Sequence, residues 1–257
     1  MNKISIKHLN KLKKNNIGIC SATSYDASFA KFLEDSGVDI ILIGDSLGEV
    51  VQGNKDTHSV TMENMIYHTM NVARGSKKCF LVADMPKDSY ITKGQALRNA
   101  NKLIGKNMAD MVKLEISKED IKTVEYLIKN DIPVCAHLGI KPQKLSSKKK
   151  YKKIGKTIKE NNTLINESRL IEKMGCELLI LECVHHETAN KITSCLSIPV
   201  IGIGSGNKCD GQIRVLYDLL GISFNGVPKF FKEHIKSPIT NTLKDYVLKT
   251  KAMKKCK

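Results

Sequence analysis

The stretch IILIGDSLG (residues 40–48) decides how the fold is interpreted, because it joins an apolar run directly to polar residues. Four apolar residues lead into Gly44, and Asp45 and Ser46 follow at once. Asp and Ser both cap helix N-termini, since their side-chain oxygens accept backbone N–H bonds. A carboxylate in this position also suits a ligand site at the mouth of a barrel. The stretch alone leaves both interpretations open.

The same pattern, an apolar run followed by an amphipathic helical segment, recurs along the chain. We predict strands within residues 18–23, 38–44, 78–84, 109–115, 132–138, 176–183 and 198–204. An eighth segment, QIRVLYDLLGI (212–222), fits a strand, a helix or one turning into the other. Continuous apolar strands separated by helices are typical of parallel strands buried on both faces. Seven or eight such units in 257 residues favour a (β/α)₈ TIM barrel, with a doubly wound sheet as the alternative.

We expect one domain over residues 1–257, since no strong linker divides the chain. Residues 2–14 are predicted to form an N-terminal helix, and the tail beyond residue 229 is predicted to be helical and lysine-rich. The sequence contains no run of 18 or more apolar residues, so no membrane span is expected. The N-terminal lysines have no apolar segment behind them, so no signal peptide is expected either.

The cysteines and the net charge bear on the compartment and the partners. No CxxC pair is present among the eight cysteines, and five lie in or beside apolar runs, namely Cys20, Cys79, Cys135, Cys176 and Cys183. We interpret these five as buried free thiols of a reducing, cytoplasmic compartment. The formal net charge of +16 suggests a nucleic-acid partner. Only four of the 42 basic residues are arginines, however, and the lysines are scattered, so we expect no nucleic-acid binding.

Polar residues stand at the C-terminal ends of the predicted strands, where barrel enzymes place their sites. Each one alone has an ordinary interpretation, such as a helix cap, an ion pair or a core histidine. Their recurrence at one end of successive strands instead predicts a site, and its carboxylates favour Mg²⁺. The residues concerned are Thr23, Ser24, Tyr25, Asp45, Ser46, Asp84, Lys113, Glu115, His137, Glu182 and the GIGSG segment (202–206).

The sequence resembles the ketopantoate hydroxymethyltransferase family over nearly its whole length. The matching stretches include GDSLG (44–48), LVADMP (81–86), MVKLE (111–115), AHLGIKPQ (136–143), LLILECV (178–184) and IPVIGIGSGNKCDGQ (198–212). The resemblance implies a barrel of the phosphoenolpyruvate/pyruvate superfamily type and a homodecamer. It also implies Mg²⁺ and the transfer of a hydroxymethyl group from 5,10-methylenetetrahydrofolate to 3-methyl-2-oxobutanoate, the first step of pantothenate biosynthesis.

The same resemblance implies a role for each site residue. The family's metal-binding carboxylates match Asp45, Asp84 and Glu115. The positions that bind the 2-oxoacid match Asp45, Ser46, Asp84 and Lys113, with His137 as a histidine near the substrate. The proton acceptor that forms the enolate matches Glu182.

The chain departs from the family pattern at three positions. Lys87, Ala136 and Ile154 stand where the family has Phe, Gly and Gln. Because Ile154 lies in the lysine-rich loop of residues 146–157, these differences bear on loop closure and turnover rather than on the metal site. Two alternatives stay open: a folate-independent, Mg²⁺-dependent lyase or mutase of the same superfamily, and a degenerate basic binding protein whose barrel has lost activity.

Overall fold

Eight parallel strands form a closed barrel in the computed structural model, which describes residues 3–145 and 152–226 together with residues 239, 242, 246 and 247. Each strand pairs with the next one along the chain, and the last pairs with the first. The strands are β1 (Ile19–Thr23), β2 (Ile40–Ile43), β3 (Phe80–Asp84), β4 (Met111–Glu115), β5 (Val134–Gly139), β6 (Leu178–Glu182), β7 (Val200–Ile203) and β8 (Gly211–Arg214). The predicted TIM barrel is confirmed, and the closed sheet excludes the doubly wound alternative.

Helices alternate with these strands around the outside of the barrel. Within the described ranges they are α1 (Ile6–Lys14), α2 (Ala27–Asp35), α3 (Leu47–Val50), α4 (Met62–Gly75), α5 (Lys93–Leu103), α6 (Ile121–Lys129), α7 (Ile158–Met174), α8 (His186–Cys195) and α9 (Leu216–Leu220). The ambiguous eighth segment is a strand that turns into a helix, since β8 is followed by α9. The predicted lysine-rich tail, apart from the four residues named above, and residues 146–151 of the lysine-rich loop lie outside the described residues.

The N-terminal helix is shorter than the predicted range of 2–14. Ser5 has an extended backbone, and its side chain accepts a bond from the His8 N–H, so the helix begins at Ile6. Leu9 of this helix is fully buried in a hydrophobic cluster inside the barrel. The cluster includes Ile40 and Phe80, which are the first residues of β2 and β3. The helix therefore closes the barrel at the N-terminal ends of the strands, and the interior opens at their C-terminal ends.

The cysteines agree with the sequence prediction at four of five positions. All seven described cysteines are free thiols, and four of the five predicted to be buried are buried. Cys20 is exposed, so the prediction of burial was wrong there. Its neighbours Ile19 and Ser21 are buried on the interior side of β1, which turns the Cys20 side chain outward. No helix in the described part of the chain is long and apolar enough to cross a membrane.

Candidate active site

The C-terminal ends of the strands bring the predicted site residues together around a cavity of ≈ 160 Å³. Asp84 ends β3 and pairs in register with Lys113 of β4. Glu115 ends β4 and pairs with His137 of β5. Strand residues two apart face the same side, so Lys113 and Glu115 both point into the barrel. The predicted residues that line this cavity are Thr23, Asp45, Ser46, Asp84, Lys113, Glu115, His137 and Glu182.

Lys113 and Asp84 form a buried ion pair in this cavity. Lys113 Nζ donates a hydrogen bond to Asp84 Oδ1, and the two side chains are 7% and 2% exposed. Burial alone would lower the pKa of Lys113, but the charges of Asp84 and Asp45 outweigh burial and raise that pKa. Lys113 therefore carries a fixed positive charge at the open end of the barrel.

Asp45 does not act as a helix cap. The N-cap of α3 is Ser46, and no side chain makes a capping bond there. The Asp45 carboxylate instead accepts a 2.8 Å hydrogen bond from Gln143 Nε2, and its backbone N–H donates to Asp84 Oδ2 at 3.0 Å. Burial and then the charge of Asp84 raise the pKa of Asp45 to about 7. The capping interpretation is excluded, because Asp45 is a buried carboxylate beside a second carboxylate.

Ser46 turns its side chain towards the cavity and not towards the helix. Its Oγ lies 2.8 Å from the hydroxyl of Tyr25, which is itself buried. A Cβ atom at Gly44 would come within 2.8 Å of this Oγ. Glycine at position 44 therefore leaves the space that the Ser46 side chain occupies.

Glu115 is held by the loop that follows β5. The backbone N–H of Gln143 lies 3.2 Å from each carboxylate oxygen of Glu115. The hydroxyl of Tyr90 donates to Gln143 Oε1 at 2.7 Å. Burial and the charge of Asp45 raise the pKa of Glu115 to about 9. Sequence reasoning missed Gln143 and Tyr90 as site residues, although Gln143 ends the AHLGIKPQ stretch that matches the family.

His137 lies between Glu115 and Glu182. Its Nδ1 is 3.8 Å from Glu115 Oε1, and its Nε2 is 3.3 Å from Glu182 Oε2. The ring is 2% exposed, and neither nitrogen has a hydrogen-bond partner among the described residues. Burial and the charge of Lys113 hold the pKa of His137 well below its usual value, so the imidazole is neutral. Burial also raises the pKa of Glu182 to about 7, which suits proton exchange near neutral pH.

The carboxylate oxygens of this cavity fit a hard divalent cation that takes few of its ligands from the protein. Within the described ranges, no group of three His, Cys, Asp or Glu side chains stands ready to hold a metal ion. Mg²⁺ commonly binds through one or two carboxylates and completes its octahedron with water and substrate oxygens. Asp45 and Asp84 supply such carboxylates, and the charge of Asp84 already raises the pKa of Asp45. A divalent cation beside them would offset that repulsion.

Two further acidic residues line the cavity, and sequence reasoning did not single them out. Glu49 and Asp218 both border it, and burial followed by the charge of Asp218 raises the pKa of Glu49 to about 7. The predicted GIGSG segment contributes Ile203 to the lining. Ser205 of that segment donates to the Leu181 carbonyl at 2.8 Å, so its hydroxyl holds a tight turn in place.

The three departures from the family pattern lie outside the cavity lining. Lys87 is half-buried, with Nζ 3.5 Å from His58 Nδ1. Ala136 is fully buried in the cluster between the barrel and its helices. The Ile154 N–H donates to the Cys183 carbonyl at 3.1 Å, which anchors the end of the lysine-rich loop beside β6.

The fold and the site define the class: a (β/α)₈ barrel with a carboxylate-rich cavity at its open end. A solved 2,3-dimethylmalate lyase, described as a member of the PEP mutase/isocitrate lyase superfamily, superposes with a TM-score of 0.59. The match covers 84% of this chain and 82% of the lyase at 13% identity, so it establishes the fold alone.

Sequence comparison identifies the family within this class. The model described as "Ketopantoate hydroxymethyltransferase" matches residues 3–254. A 3-methyl-2-oxobutanoate hydroxymethyltransferase of Nitrosococcus oceani is 43% identical over 249 residues, which cover 96% of this chain and 94% of that protein. One of Idiomarina loihiensis is 46% identical over 233 residues, covering 91% and 87%. The chain belongs to the ketopantoate hydroxymethyltransferase family, and the predicted family and enzyme class are confirmed.

Proposed function

We propose that this protein transfers a hydroxymethyl group from 5,10-methylenetetrahydrofolate to 3-methyl-2-oxobutanoate and so forms 2-dehydropantoate. The family match supports the reaction class, and the two relatives named above carry this substrate in their names. The observation that carries the mechanism is the cavity in which a buried lysine and a neutral histidine meet the carboxyl groups of Asp45, Asp84, Glu115 and Glu182. These are the groups that an anionic 2-oxoacid needs if it is to lose a proton from carbon.

Lys113, Ser46 and the neighbouring carboxylates bind and orient the 2-oxoacid. Lys113 supplies a buried positive charge that attracts the substrate carboxylate. The Ser46 hydroxyl, which lines the same cavity, orients the bound acid through a hydrogen bond. Asp45, Asp84 and Glu115 would hold Mg²⁺ by converging on the ion as it binds, since no three such side chains in the described part of the chain stand ready for it beforehand. When bound, the ion would act as a Lewis acid on the ketone oxygen.

Glu182, which lines the same cavity, is the base. Glu182 in its ionised form takes the proton from C3 of the substrate, and its raised pKa makes it a stronger base than an exposed glutamate. The electron pair left on C3 attacks the one-carbon unit of the folate. The methylene carbon is held by two C–N bonds to the folate, and both break. One is replaced by the new C–C bond and the other by a bond to the oxygen of water, which becomes the hydroxyl group. The two folate nitrogens take up two protons, one taken from C3 and one from the water.

Loss of the C3 proton is tested without the folate. Purified protein with Mg²⁺ should exchange the C3 deuterium of labelled 3-methyl-2-oxobutanoate for hydrogen, as followed by proton NMR. Glu182→Gln should abolish the exchange and leave the fold intact. Glu177→Gln is the matched control, because Glu177 precedes the same strand at its opposite end. An active Glu182→Gln variant, or an inactive wild-type protein, would contradict the proposal.

The folate requirement separates the proposal from its alternatives. Product formation that does not depend on methylenetetrahydrofolate would favour a lyase or mutase of the same superfamily. Salt-sensitive RNA binding with no turnover would instead favour a degenerate basic binding protein.

We further propose that the enzyme is a cytoplasmic homodecamer, as the family resemblance implies. The free thiols of the seven described cysteines are compatible with a reducing compartment. Light scattering should give a particle of ten times the 28.6 kDa of one chain. A smaller particle at working concentration would refute the decamer.

A further inference from the structure

Gln143 joins two of the candidate metal-binding carboxylates, although it lies on none of the barrel strands. It occupies a short 3₁₀ turn, Pro142–Lys144, after β5 and is 3% exposed. Its backbone N–H contacts both oxygens of Glu115 at 3.2 Å, and its side-chain Nε2 contacts Asp45 Oδ2 at 2.8 Å. One buried residue therefore ties together carboxylates that come from two different parts of the barrel.

The neighbours of the Gln143 amide fix which way it points. Nε2 lies 3.0 Å from the carbonyl oxygen of Met85, which can only accept a hydrogen bond. On the other side, Oε1 accepts from the hydroxyl of Tyr90 at 2.7 Å. Turning the amide over would place two acceptors against each other at Met85. The amide must therefore offer its second N–H hydrogen to Asp45.

We propose that Gln143 is a positioning residue for the divalent cation of this site, and that Tyr90 supports it by fixing the amide. The inference rests on the proposed function, because it takes Asp45 and Glu115 as ligands of that cation. Gln143 engages Asp45 Oδ2, and Asp45 Oδ1 accepts no hydrogen bond from the described residues, so this oxygen is free to ligate. Hydrogen bonds from outside the ligand set orient ligating carboxylates, and losing such a partner weakens metal binding by about 10–100-fold.

Direct metal binding in the absence of substrate tests this role. Gln143→Leu keeps the size of the side chain and the backbone N–H, but it removes the hydrogen bonds to Asp45 and Met85. We expect its Kd for Mn²⁺, measured from the EPR signal of the free ion, to rise by about 10–100-fold. Tyr90→Phe should raise the Kd by a smaller factor, because it removes one hydrogen bond that holds the amide and leaves the Nε2 bonds to Asp45 and Met85 in place. Gln52→Leu is the matched control, since the Gln52 side chain is exposed and its hydrogen bonds to described residues go to Asn54 and Asn64.

The outcomes separate this inference from the proposed function. A Kd for Gln143→Leu equal to that of the wild-type protein overturns the inference alone. If Gln143→Leu fails to fold, an unchanged Kd in Tyr90→Phe overturns it. A purely structural role for Gln143 would lower the melting temperature of the metal-free protein and leave the Kd unchanged. A wild-type protein that binds no Mn²⁺ would overturn both this inference and the metal site of the proposed function.

Discussion

The rate at which the enzyme removes the C3 proton of 3-methyl-2-oxobutanoate should rise about tenfold between pH 6 and pH 8. Glu182 accepts a proton only when it is ionised, and its pKa is raised to about 7. With that pKa, the ionised fraction is about 0.09 at pH 6 and about 0.91 at pH 8. A glutamate at the ordinary value of 4.5 would be ionised at both pH values, and the rate would stay flat.

The direction of this pH dependence follows from the surroundings of Glu182. Burial raises its pKa most, the charge of Lys113 lowers it, and the charge of Asp84 raises it again. His137 lies 3.3 Å away but is neutral, so it adds no charge that would pull the pKa down. The base is therefore protonated and inactive at acid pH, and the rate increases as the pH rises.

Deuterium exchange at C3, followed by proton NMR at saturating Mg²⁺, measures this rate without the folate. Saturating metal keeps its carboxylate ligands ionised at both pH values. Glu49 is the necessary control, because it lines the same cavity and its pKa is also raised to about 7. Glu49→Gln should retain the inflection near pH 7. A flat or falling wild-type rate, or an inflection that disappears in Glu49→Gln, would refute the assignment of Glu182 as the base.

Three further predictions concern the stability of the barrel and the placement of the base. The melting temperature of the metal-free protein should fall as the pH rises from about 4.5 to about 9. The folded protein raises the pKa values of Asp45 and Glu182 to about 7 and that of Glu115 to about 9, so the stability from their protonated forms is lost over this range. Mg²⁺ should reverse the fall, and a melting temperature that rises with pH would contradict this prediction. Leu9→Ala should lower the free energy of unfolding, measured by urea denaturation, by about 2–5 kcal/mol, because Leu9 is fully buried. Lys7→Ala, at an exposed position of the same helix, should change it by less than about 0.5 kcal/mol. Equal effects of the two substitutions would show that α1 does not seal the barrel. Gly139→Ala should reduce the exchange rate, because the new Cβ would lie 2.1 Å from the Glu182 carbonyl oxygen, and the residue has a φ of +104°. Gly105→Ala is the control, because residue 105 also has a positive φ, +136°, but a Cβ there would meet no atom within 4 Å. This control should leave the exchange rate unchanged, and equal rates in the two variants would refute the steric argument.

The sequence was sufficient to predict those site residues whose position follows from strand geometry. Side chains alternate along a strand, so the spacing in MVKLE is enough to place Lys113 and Glu115 on the same side. Parallel strands in a barrel end at the same face, which is why Asp84 and His137 could be predicted to lie near them. The structure places all four around the same cavity.

The sequence was insufficient where position depends on loop conformation or on neighbouring elements. Gln143 and Tyr90 come from loops, whose paths follow no period, so nothing in their spacing showed that their side chains meet. The role of Asp45, considered by itself, was ambiguous, because a helix cap and a ligand site both use Asp and Ser side chains. Cys20 was predicted to be buried from an apolar run, but burial of the outer face of a strand depends on what packs against it.

The placement of His137 bears on how one cavity holds both the proposed base, Glu182, and the carboxylates that we propose as metal ligands. A divalent cation lowers the pKa of the carboxylates that it contacts, so a base in direct contact with the ion would lose its proton affinity. His137 stands between the two groups, 3.8 Å from Glu115 Oε1 and 3.3 Å from Glu182 Oε2. A protonated imidazole here would also lower the pKa of Glu182, but burial and the charge of Lys113 keep the ring neutral. Burial is therefore the largest influence on the basicity of Glu182, and the neutral His137 preserves that effect beside the carboxylates that we propose as metal ligands.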